Sequence, residues 1–135
     1  MNQTINLLPP KPPAVASANH SLPVDVACLK DAASENQERL KRIVNLYVLH
    51  TADRLEQLKS AIKHESADEV SALAHKSLGS SRTCGMTAIV PPLAELERIA
   101  IKGDLHGAEA QLTSATAAFE KIKGFLDGYV HQLAA

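Results

Sequence analysis

Ala74-His75-Lys76-Ser77-Leu78-Gly79-Ser80-Ser81-Arg82-Thr83-Cys84-Gly85-Met86 is the most informative stretch of this 135-residue chain. Ser66 and Glu69 upstream have the spacing of a capping box, which predicts a helix running from there toward Gly85. Wound at about 100° per residue with His75 at zero, the helix places Val70, Leu73, Ser77 and Cys84 within about 40° of the opposite pole. Those four form the expected core face, so His75 is expected to point at solvent. Around it fall Asp68, Ser71, Gly79, Arg82 and Met86, with Ala72 and Leu78 slightly further off.

An exposed imidazole is useful when another protein's active site must close over it. Gly79, one turn beyond His75, removes a side chain where such a partner would approach. Ser80 and Ser81 are also small, and Ser81 leans toward the core, where it would let a neighbouring helix come close. Lys76 and Arg82 place positive charge within reach of a phosphoryl group, although solvated charges are the norm on such a face. A partly neutral imidazole is a nucleophile at cellular pH without a dedicated base.

Working outward, the rest of the chain reads as helix after helix. It has two Tyr, two Phe and no Trp, and little period-2 alternation. Residues 1–22, with Pro9, Pro10, Pro12 and Pro13, are expected to form a flexible tail or linker, and residues 23–135 the folded domain. A short helix is expected from Val24 to Ala33, with Pro23 set for its first turn. Ser34 with Gln37 suggests a capping box opening a long helix, striped by Leu40, Val44, Tyr47, Thr51, Leu55, Leu58 and Ile62. Pro91-Pro92 demand a break or a fresh start. The helix after them ends before Gly103, and Asp104 is the expected cap of the last one. That last helix carries a seam from Leu105 through Leu112, Phe119, Ile122 and Leu126 to Leu133. Four substantial amphipathic helices with short connections predict an all-α, antiparallel four-helix bundle, with the short N-terminal helix across one end.

The signature resembles that of the histidine-containing phosphotransfer (Hpt) domains of two-component phosphorelays. The match lies at Ala74, His75, Gly79, Ser80, Ser81 and Gly85, and Ile89, Leu93, Leu96 and Glu97 resemble the family's next helix. The resemblance covers about residues 24–133. It implies a four-helix bundle phosphorylated on His75, exchanging the phosphoryl group with an aspartate of a receiver domain that supplies the catalytic Mg²⁺. The partners implied are receiver domains of response regulators or hybrid histidine kinases. The candidate receiver-binding residues are Ser71, Lys76, Leu78, Gly79, Arg82 and Met86. The family often has Lys three residues after the histidine; here that place is Leu78, which could add an apolar docking contact or simply pack.

Other classes of function find less support. A formal net charge of -1 gives no basis for nucleic-acid or membrane-surface binding. No phosphate-binding loop of the Walker type is present, so no ATP site is expected and the chain would be a carrier rather than an enzyme. His20, His50, His64, His106 and His131 lack the helical spacing of a metal pair, and neither metal nor cofactor is expected. Cys28 and Cys84 read as free thiols of a reducing compartment, and the cytoplasm is the expected location. The start has no signal-peptide pattern, and a monomer suffices for the carrier role. The competing expectation is a helical adaptor that binds a receiver or kinase without being phosphorylated.

Overall fold

The computed structural model describes residues 22–134. Five α-helices and one 3₁₀ turn account for most of them: α1 (Val26–Ala32), α2 (Gln37–Lys63), α3 (Ala67–Cys84), the 3₁₀ turn (Thr87–Ile89), α4 (Val90–Ile101) and α5 (Ala108–Ala134). No strand occurs among the described residues. Helices α2 to α5 pack in cyclic order, each against the next, with α5 closing the ring on α2. Short connections make neighbours antiparallel, which is the expected four-helix bundle. The tail expected over residues 1–22 lies outside the described residues, apart from an exposed Leu22.

The apolar stripes become the core. On α2, Leu40, Val44, Tyr47, Thr51, Leu55, Leu58 and Ile62 are all buried. On α5, Ala108, Ala115, Phe119, Ile122 and Leu126 are buried and Leu112, Tyr129 and Leu133 pack beside them. The helix after the 3₁₀ turn takes its prolines in the first turn, where a missing N–H costs no helical bond.

Several predicted helix starts are displaced. The first helix begins at Val26 and not at Val24: Asp25 supplies the cap, its side chain accepting from the Cys28 amide, and Pro23 lies ahead of the first turn. Ser34 does not open α2. Ser34 and Glu35 have positive φ, and Glu35 donates back to the Lys30 carbonyl to finish α1. Asn36 then caps α2 by accepting from the Arg39 amide at 2.9 Å. Ser66 does sit at the N-cap of α3, but its side chain makes no capping bond, so the box with Glu69 does not form. The acidic pair Asp68 and Glu69 still complements the positive end of the helix. Asp104 is not the cap of α5: it lies four residues ahead of the helix, and its carboxylate accepts from the His106 amide in the loop.

Helix α1 latches onto the C-terminal end of α3. The Asp25 amide donates to the Gly85 carbonyl at 2.7 Å, and the Cys28 thiol points at the Thr83 carbonyl at 3.5 Å. Burial is the main cause that pushes the Cys28 and Cys84 thiols up from their ordinary range, which keeps them protonated. Gly85 terminates α3 with φ +76°, and a Cβ there would stand 2.6 Å from the Asp25 carbonyl oxygen and 2.8 Å from Cys28 Cβ. Both the left-handed backbone and the close approach of α1 require glycine. Gly85→Ala should therefore cost about 1–2 kcal/mol for the backbone and about as much again for the clash. Thermal denaturation checks this: a fall of the order of 10 °C in melting temperature is expected, and an unchanged one would show that α1 yields without cost.

Candidate functional site

Helix α3 sits between α2 and α4 and presents small side chains to both. Ala74, Ser77 and Ser81 are buried, and the Ser81 hydroxyl meets the phenol of Tyr47 on α2 at 2.8 Å. Burial raises the Tyr47 phenol above its usual range, with the Ser81 bond opposing that shift. A further α2 side chain, Arg54, donates to Ser80 Oγ at 3.4 Å. These contacts press α3 into the bundle while its outer ridge stays bare.

His75 stands on that ridge, its side chain 75% exposed. Its Nδ1 lies 2.7 Å from Oε2 of Glu97 on α4, and that carboxylate is itself only 21% exposed. A carboxylate can only accept, so Nδ1 carries the proton and donates, and in the neutral ring the lone pair is then on Nε2. The pair thus sets both the tautomer and the orientation of the ring. Glu97 is left to this task because its neighbour Arg98 is engaged with Glu95, a contact that holds the Glu95 carboxyl below its usual range.

The expected docking residues divide. Gly79, Lys76 and Arg82 are exposed, and Ser71 is half-buried on the side of α3 that faces α4. Arg82 and Lys76 enter no ion pair among the described residues, leaving their charge for an incoming group. Arg82 stands about 10 Å along the axis from His75, a span its side chain can partly close because helical side chains tilt toward the N-terminus. Leu78 and Met86, by contrast, are 4% and 0% exposed and do not belong to any docking surface. The buried arc of α3 is Val70, Leu73, Ala74, Ser77, Leu78 and Ser81. Its centre is rotated so that His75 lies about 50° from the outermost direction instead of on it, which carries Leu78 inward toward α4. Met86 follows the left-handed Gly85, which turns the chain out of the helical path, so an extrapolated helical angle misplaces it.

Glu97 is the residue that sequence reasoning left without a role. It was visible as part of the helix after the signature, but a bond between residues 22 positions apart depends on the α3–α4 packing. No group of three or more His, Cys, Asp or Glu side chains with metal-binding geometry exists among the described residues. No helix among them is long and apolar enough to cross a membrane.

A four-helix bundle with one exposed, carboxylate-oriented histidine beside a glycine defines a histidine phosphotransfer module. The Hpt domain family model matches residues 42–135, and the chain belongs to that family. Among solved structures, it is similar to the histidine-containing phosphotransfer protein B (HptB) of Pseudomonas aeruginosa PAO1. That likeness has a TM-score of 0.77 at 21% identity, and covers 82% of this chain and 96% of that one. No curated protein matches the chain.

Gly79 gives the site a direct test. A Cβ placed on it would meet nothing within 4 Å, so the glycine is not needed by the fold. Gly79→Ala should raise stability by about 0.5–1 kcal/mol. Gly79→Gln should leave the melting temperature level or higher while slowing phosphoryl transfer from a receiver domain. A loss of transfer that tracks unfolding would make Gly79 structural.

Proposed function

We propose that this chain is a phosphorelay intermediate: His75 Nε2 accepts a phosphoryl group from a receiver-domain aspartate and passes it to another receiver domain. The observation that carries this reading is the 2.7 Å bond from His75 Nδ1 to Glu97, which in the neutral ring puts the lone pair on Nε2, on a ring open to solvent. In the forward step the Nε2 lone pair attacks phosphorus, the N–P bond forms, and the bond from phosphorus to the aspartyl oxygen breaks. The aspartate leaves as a carboxylate with that electron pair. The ring gains positive charge as the bond forms, and the Glu97 carboxylate beside Nδ1 stabilises it. Return of the group to another aspartate reverses each change. No part of this chemistry calls on ATP, and the role is that of a carrier. Leu78, which stands where the family often has Lys, lies in the core and gives the adaptor alternative no docking contact.

Incubation with phosphorylated receiver domains, followed by isolation of the chain, tests the proposal. Acid-labile label is expected on the parent and none on His75→Gln, whose fold should be unchanged because an exposed side chain carries little packing energy. Glu97→Ala should lower labelling roughly tenfold, the loss of a charged hydrogen bond worth ~1.5 kcal/mol. The same loss should appear with phosphoramidate, a small donor that needs no docking, because Glu97 acts on the ring. Label persisting on His75→Gln would assign the acceptor to another residue, and stable receiver binding with no label would make the chain an adaptor.

A further inference from the structure

We propose that the groove between α2 and α5 is a docking site for a basic amphipathic helix of a partner protein, its apolar face on the groove floor and its cations against Glu56, Glu109 and Asp127. This inference does not rest on the phosphorelay reading, because α2 and α5 form the side of the ring opposite the α3–α4 pair that carries His75 and Glu97. Two depressions of about 690 and 650 Å³ share Glu120 and Lys123 and so make one continuous groove. It runs along α2 from Val44 to Ile62, a span of about 27 Å. That length takes a helix of about 18 residues laid along it.

The floor of the groove is apolar. Leu55, Phe119 and Leu126 are buried beneath it, Val48 and Leu112 are half-buried, and Leu49 stands 66% exposed at one edge. Gly124 lines the groove, and Gly128 lies one turn further along the same face of α5. Glycine weakens a helix interior, and a Cβ on either residue would meet nothing within 4 Å. Packing within the chain therefore calls for neither glycine, whereas their bare backbone lets a second helix come close.

Charge decides between occupants. Glu56, Glu109, Glu120 and Asp127 line the groove, against two cations, Lys59 and Lys123. Lys123 is already engaged, 3.1 Å from Glu120 and over the Phe119 ring. Glu56, Glu109 and Asp127 are exposed and enter no ion pair among the described residues. Beyond Ile62 the groove opens on Glu65 and Asp104, which extend the negative stretch. The whole chain carries a net charge of only -1, so the groove concentrates negative charge locally. A second copy seated here would set these carboxylates against their own kind, which costs free energy. A helix flanked by Lys or Arg neutralises them instead.

The experiment titrates the full chain into a fluorescent helical peptide of about 18 residues, with Leu on one face and Lys on the other, and into its counterpart with Glu for every Lys. Fluorescence anisotropy should show micromolar binding of the Lys peptide and none of the Glu peptide. Glu56→Lys combined with Glu109→Lys should weaken binding about tenfold. Gly124→Gln should weaken it about as much, with the melting temperature level or higher. Asp31→Lys, the same change of charge on α1, should bind within about twofold of the parent. In ¹H–¹⁵N spectra the amides that shift should lie on α2 and α5, with those around His75 unmoved. Equal binding of both peptides, binding of neither, or shifts centred on His75 overturns the inference. So does parental affinity in Gly124→Gln or in the double charge variant, and so does an equal loss in Asp31→Lys. A dimer of the chain that Gly124→Gln dissolves would make a second copy the occupant and overturns it as well. Each of these outcomes leaves the carrier reading standing.

Discussion

Helix α3 is held on both flanks and bare along its outer ridge, and the chemistry of the chain depends on that one-sided burial. The flanking helices can come close because the side chains turned toward them include Ala74, Ser77 and Ser81. Larger residues there would push α2 and α4 away. The separation of α3 and α4 matters most, since Glu97 on one must reach the His75 ring on the other at 2.7 Å. The small residues of the signature thus act at a distance from the reacting atom. They set the spacing that lets a carboxylate hold the imidazole in one tautomer while the ring remains open to a partner.

Gly85 makes a second constraint at the end of the same helix. Its left-handed backbone ends α3, frees the chain to turn into the 3₁₀ segment, and leaves room for α1 to bond across it. Arg82 lies in that final turn, and the carbonyls of Arg82 and Thr83 face the Cys28 thiol. The exposed Arg82 is therefore carried on a helix end pinned by a packed neighbour. Gly79 is the contrast: open space surrounds it, and a Cβ added there would meet nothing.

Much of this was legible in the sequence. The apolar stripes of α2 and α5 survive almost residue for residue, because a 3.6-residue period leaves few alternatives for which side is buried. The exposure of His75 followed from the same logic. Helix starts were less legible, since Ser34, Ser66 and Asp104 all have the composition of caps while the caps that form depend on the backbone entering each helix. Leu78 was misplaced because four core positions centre a helical face only to within some tens of degrees, and Met86 because the path beyond a left-handed residue is tertiary. Glu97 could be seen in sequence but not its partner, as the bond joins two helices whose relative height is fixed by packing alone.

The atom that carries the phosphoryl group is the central claim, and nuclear magnetic resonance of the phosphorylated chain addresses it directly. With uniform ¹⁵N labelling and phosphoramidate as donor, one phosphohistidine is expected, at residue 75, with phosphorus coupled to Nε2 and Nδ1 without phosphorus. Phosphorus on Nδ1 of His75, or on any other side chain, would contradict the account, because Nδ1 is the atom that the Glu97 carboxylate occupies.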